Sequence, residues 1–161
     1  MKKLVALHKH WCTADSIKQF ISAPIPEPKE PTAEPQLPVA VLQLAQQHSM
    51  FMRLSVWYAL LYVVIEGYRD LEQKDSAIEE LLAQSEKVDA LRRFRNATFH
   101  YQEDPFSEKL LGFLEAKESE VWIRQLNSAF KSFFERALPI KELLAAIAER
   151  APNIMAERDA S

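Results

Sequence analysis

The sequence predicts an all-α protein, an antiparallel bundle of four or five helices. Three observations carry this. Glycine is very scarce, with only Gly67 and Gly112 in 161 residues, whereas an all-β chain needs glycines for its hairpin turns. Apolar residues recur at helical spacing over long stretches free of proline. Capping signals and Asp-Pro punctuation separate those stretches.

Each element follows in order. Residues 13 to 22 read as a short helix with Thr13 or Asp15 as cap and an apolar face of Ile17, Phe20 and Ile21. Residues 24–38, PIPEPKEPTAEPQLP, hold six of the nine prolines. Proline fixes φ and lacks an amide proton, so this piece is expected to be an extended, semi-rigid connector. A role as a ligand for a proline-binding domain has only composition behind it. Residues 39 to 74 contain no proline and one glycine, and predict one long helix or two joined at a bend. Between Phe51 and Tyr68 the pattern is apolar nearly all round, as for a helix buried on several sides.

Ser76 and Glu79 form a capping-box pattern ahead of Ile78, Leu81 and Leu82. The next helical pattern runs to about Tyr101, with Val88, Leu91, Phe94 and Thr98 as its inner stripe. Asp104-Pro105 then signals a restart, cap followed by proline at the first helical position, for a short helix over 106–114. The last major helix begins near Ser119, with Val121, Trp122, Leu126, Ala129, Phe130, Phe133 and Phe134 at helical spacing. Its aromatic stripe fits a core or a dimer seam better than a cofactor site. Pro139 bends or restarts it before residues 140 to 148. The bundle is thus expected over 39–150, preceded by a segment 1–23 and followed by a loose tail, 151–161.

Composition narrows function. Cys12 is the only cysteine, so neither an internal disulfide nor a four-cysteine metal cage is possible. The apolar run after Met1-Lys2-Lys3 is broken at once by His8 and Lys9, too short for a signal sequence. The uncharged apolar stretch 54–65, closed by Arg53 and Glu66, falls short of the roughly 20 residues of a bilayer span. A cytoplasmic protein with no membrane partner is expected. The formal net charge of −3 argues against a general nucleic-acid coater and leaves room for a local basic site. No phosphate loop, nucleophile elbow or paired His-Glu zinc motif occurs, and no cofactor is implied. His8, His10 and Cys12 alternate, and in an extended segment would share a face suited to zinc; an incidental cluster near a terminus is the plainer reading. His48 stands alone on a helical pattern as a partly buried polar residue. Glu66 interrupts an apolar helix and, if buried, needs a partner among Arg92, Arg93 and Arg95.

The chemically informative piece is LRRFRNATFHYQ, residues 91–102. Arg92, Asn96 and Phe99 share a broad helical face. Arg95 and His100 lie five apart, about 140° in azimuth on an ideal helix. They converge only if the helix ends or loosens near His100, which the downstream Asp104-Pro105 favours. A solvated arginine face, with His100 capping the last turn, is the bland alternative.

Arg95-Asn96-Ala97-Thr98-Phe99-His100 resembles the Arg-x(four to six)-His motif of HEPN domains, and LYVVIEGYRDL at 61–71 is similar to the preceding helix of such proteins. The resemblance covers about residues 40 to 138. It implies a four-to-five-helix bundle, often a homodimer whose two motifs face one cleft, and in many members a metal-independent endoribonuclease of toxin–antitoxin or other defence systems. An antitoxin or other protein partner would follow. On that reading Arg95 and His100, with Asn96, are catalytic, while Arg92, Arg93 and Tyr101 hold RNA. The residue types suit the task. Imidazole takes or gives a proton near neutrality, a guanidinium offers permanent charge to a phosphorane-like transition state, and tyrosine stacks on a base. A catalytically silent HEPN-like module for binding or oligomerisation is the alternative.

Overall fold

The computed structural model describes residues 1–25, 37–104 and 107–139. The expected connector falls largely, and residues 140–161 wholly, outside that range. The described residues form six α-helices and no strand: α1 (Lys2–Gln19), α2 (Val39–Arg69), α3 (Ser76–Leu82), α4 (Ser85–Phe99), α5 (Glu108–Leu114) and α6 (Ser119–Ala137).

The N-terminal segment differs most from expectation. Its helix begins at Lys2, not near Thr13, and ends at Gln19. Leu4, Leu7, Trp11 and Ala14 recur at helical spacing and are all buried, so burial of that stripe carries the helix through His8, Lys9 and His10. α1 therefore supplies part of the core.

α1 lies antiparallel on α2. Near one end, a Cβ added at Gly67 would come within 2.6 Å of Leu7 Cδ1, so glycine permits the close approach of the two helices. At the other, Arg53 Nη1 donates to the carbonyls of Phe20 (2.8 Å) and Ala23 (2.6 Å). Gln46 clasps the same turn, accepting from Ile25 N and donating to Ala23 O.

α2 is a single helix of 31 residues that stops at Arg69, short of Lys74. By length and hydropathy it would suffice to cross a bilayer. However, Trp57, Tyr58, Leu61, Tyr62, Val64, Ile65 and Tyr68 are buried, packed by α1 on one side and α4 on another.

The cap of α3 is Asp75, one residue before the expected Ser76. Asp75 Oδ1 accepts from Ala77 N (3.0 Å) and Ile78 N (3.3 Å). Asp75 Oδ2 takes Arg136 of α6, and its backbone N–H donates to the Tyr68 hydroxyl (2.7 Å). One residue thus joins α2, α3 and α6. Trp122 Nε1 adds a second tie from α6 to the Leu81 carbonyl (3.1 Å).

α5 starts at Glu108 with Ser107 as its cap. The expected proline-led start lies outside the described residues, which omit 105 and 106. α6 begins after Glu118, whose φ of 61° puts a non-glycine residue in the left-handed region. Its aromatic stripe is core: Trp122, Phe130, Phe133 and Phe134 are buried, while Val121, expected on the stripe, is exposed. Ring contacts run Tyr58–Phe94–Phe113–Trp122, and Tyr68 meets Phe130 and Phe133 edge-on, each at 5.6 Å. Such pairs contribute about 0.5–1.5 kcal/mol each beyond their buried area.

Candidate functional site

α4 is amphipathic. Val88, Leu91 and Phe94 face the core, and Arg92, Arg93, Arg95 and Asn96 lie on its outer side. The helix ends at Phe99, two residues before the expected Tyr101. His100 N makes the closing bond to Asn96 O (3.0 Å), and His100 itself is extended, at φ −115° and ψ 143°. The loosening needed to free His100 from the helical azimuth is therefore present.

Arg95 is held firmly. Nη2 donates to both Glu66 oxygens, at 2.7 and 2.6 Å, and Nη1 to Asn96 Oδ1 at 2.9 Å. The guanidinium lies 5.3 Å from the centre of the Tyr62 ring. Its Nε is buried and unpaired. Five N–H donors less those engaged leave one Nη1 proton, beside the enclosed Nε–H, for an incoming acceptor. Glu66 selects Arg95 from the three expected partners, but it is not a buried carboxylate: its side chain is 44% exposed.

The other arginines diverge. Arg92 pairs loosely with Asp89 at 3.4 Å, both side chains half exposed. Arg93 lines a separate surface hollow with Glu108, Lys109, Gly112 and Phe113. Tyr101 is 89% exposed, and Gln102 bonds back to the carbonyls of His100 and Tyr101. The His100 side chain is exposed and has no hydrogen bond among the described residues, to Arg95 or otherwise. The structure thus unites Arg95, Asn96, Glu66 and Tyr62. Arg92 shares their helix face, His100 and Tyr101 stand just past its end, and Arg93 lies apart.

Tyr62 was missed from sequence, although Tyr62 and Glu66 are four apart on a helix and so are neighbours. Phe99, placed by its spacing on the face of Arg92 and Asn96 but given no role, is exposed beside His100. A second omission is the groove between α1 and α2, about 370 Å³, where Lys3 and His10 face Glu66 and Asp70. It could not be anticipated while residues 8–12 were read as extended.

That reading also fails for zinc. In helix α1, His8 and Cys12 are neighbours, with Nε2 3.4 Å from Sγ, while His10 turns to the groove. Among the described residues no three His, Cys, Asp or Glu side chains converge. His8 stacks on Trp11 and meets Phe134 at a tilt, and burial lowers its pKa. Burial, then the charge of Asp15, raises that of the Cys12 thiol. His48, expected to be partly buried, is exposed.

No family model, curated protein or solved structure matches the chain.

Proposed function

We propose that this is a HEPN-type helical bundle that cleaves RNA without a metal ion, as a toxin or other defence effector. The observation that carries the reading is the end of α4. The helix stops one residue before His100, leaving that imidazole exposed and unpaired, while Arg95 is fixed one turn earlier. His100 takes the proton of the ribose 2′-hydroxyl as that oxygen attacks phosphorus, or gives one to the departing 5′-oxygen. The products are a 2′,3′-cyclic phosphate and a 5′-hydroxyl.

Arg95 presents its remaining Nη1 proton to the charge gathering on phosphate, and Asn96 holds that fork in register. Arg92 is free to leave Asp89 for a flanking phosphate, because exposed pairs of this kind contribute about 1 kcal/mol or less. Tyr101 stacks on an unpaired base. Arg93 reaches only RNA that extends toward α5. One histidine does not readily serve as both acid and base, so a two-fold homodimer would supply the second.

The Glu66 clasp favours a second reading, a silent HEPN-like module in which Arg95 is structural and the surface binds a protein partner such as an antitoxin. Mixed cellular RNA incubated in EDTA with the wild type and His100→Ala separates the two. Cleavage by wild type alone, with cyclic-phosphate ends, is expected. Intact RNA of every class with both proteins would favour the silent module.

A further inference from the structure

Beside the Arg95 clasp runs the groove between α1 and α2, and its charged groups are not consumed by the fold. Lys3 and His10 lie two turns apart on one face of α1, and Glu66 and Asp70 one turn apart on one face of α2. The four converge over a floor of Leu7, Val63 and Gly67. Among the described residues, the side chains of Lys3, His10 and Asp70 have no hydrogen-bond or ion-pair partner. Glu66 gives both oxygens to Arg95 Nη2 and keeps a lone pair on each.

Lys3 and Asp70 also border a second hollow, of about 480 Å³, so they stand together where two hollows meet. The groove itself, at about 370 Å³, falls in the range of small-molecule sites, roughly 300–1,000 Å³. Asp70 is placed against its own helix. It is the C-cap of α2, where the macrodipole disfavours a carboxylate. Stability of α2 therefore does not account for an acid at this position. Asp70 and Lys3 present an acceptor pair and a donor side by side.

We infer that this groove is a subsite for guanine, seated next to the phosphate that Arg95 holds. The Watson–Crick edge of guanine carries two donors, N1–H and N2–H, beside the O6 acceptor. A carboxylate accepts from both donors and an ammonium donates to O6; Asp70 and Lys3 supply that pair. Adenine at N1 and cytosine at N3 would set an acceptor against the carboxylate, and uracil has one donor between two acceptors. The imidazole of His10 stacks on the ring. Glu66 joins the groove to the Arg95 fork, so base and phosphate come from one short stretch of chain. The source of the guanine rests on the RNA reading, since a free guanine nucleotide carries the same edge.

Histidine Cε1–H NMR of the full chain, titrated with GMP, AMP, CMP and UMP to about 10 mM, tests the subsite. All four carry the same phosphate, so selectivity reports the base. GMP should shift the His10 resonance with a Kd of about 1 mM or below, at least about fivefold tighter than the other three. Asp70→Asn should weaken that preference about tenfold, because an amide cannot accept from both donors and suits adenine instead. Its unfolding midpoint should hold or rise slightly, because a charge opposed to the macrodipole is removed. On mixed RNA the wild type should cut beside guanine, and Asp70→Asn should be indifferent to the base. GMP binding with every RNA left intact would keep the guanine subsite, filled by free nucleotide, and sink the nuclease reading. A His10 resonance unmoved by all four nucleotides would overturn the subsite, whether or not RNA is cut. So would equal affinity for all four, or an Asp70→Asn variant that keeps the preference.

Discussion

Replacing Asp75 with alanine removes two things at once. The first is the cap of α3, two hydrogen bonds from Ala77 N and Ile78 N to one carboxylate oxygen. Such caps are worth about 1 kcal/mol. The second is the ion pair with Arg136. Asp75 is 14% exposed but Arg136 is 61% exposed, so solvent screens the pair and it adds at most about 1 kcal/mol. The bond from Asp75 N to Tyr68 OH survives, because it uses the backbone. The expected loss is therefore about 1.5–2 kcal/mol, or roughly 5 °C in Tm for a chain of this length. α3 has only seven residues and cannot persist unaided, so its fraying should be felt in the global transition. Urea unfolding followed by circular dichroism measures this. Asp75→Asn keeps a good cap and should cost under about 0.5 kcal/mol. Ser76→Ala, at the position favoured by the capping-box pattern, should cost close to nothing. Equal losses for Ser76→Ala and Asp75→Ala, or no loss for the latter, would refute the argument.

Glu66→Gln loosens the clasp on Arg95. It should strengthen RNA binding several-fold in a filter assay and lower stability by no more than about 1 kcal/mol, since Glu66 is substantially exposed; weaker binding would mean the clasp orients Arg95 for substrate. Burial lowers the pKa of His8, so the fold favours its neutral form. The stability this contributes is complete above pH 6.5 and is lost as pH falls through the lower folded-state value. Tm should accordingly decline as pH falls below 6.5, and His8→Leu should flatten that decline in differential scanning fluorimetry. Glu118→Gly relieves the left-handed strain at the start of α6 at the expense of chain entropy, for a net gain of up to about 1 kcal/mol; a lower urea midpoint would contradict this.

Much of the architecture was legible because helical periodicity is a local property. The stripes of α4 and α6 and the all-apolar middle of α2 each state which face is buried before any neighbour is known. The chance that the helix ends between Arg95 and His100 was likewise readable, and α4 does end at Phe99. Where local signals compete, sequence alone misjudged. Asp75 and Ser76 are both good caps, and the choice of Asp75 rests on Arg136, 61 residues away in α6, and on Tyr68 at the end of α2. The charged and polar residues near the start of α1 hid a four-residue core stripe whose value depends on α2 and α6 being there to bury it.

By itself, then, the sequence determined the helical class and the main helices, because those depend on spacing and side-chain type. Tertiary structure alone decided which arginine Glu66 would hold, and that His10 would face a groove and not join His8 and Cys12. Those outcomes depend on which helices meet and at what distance, and no local pattern contains that information.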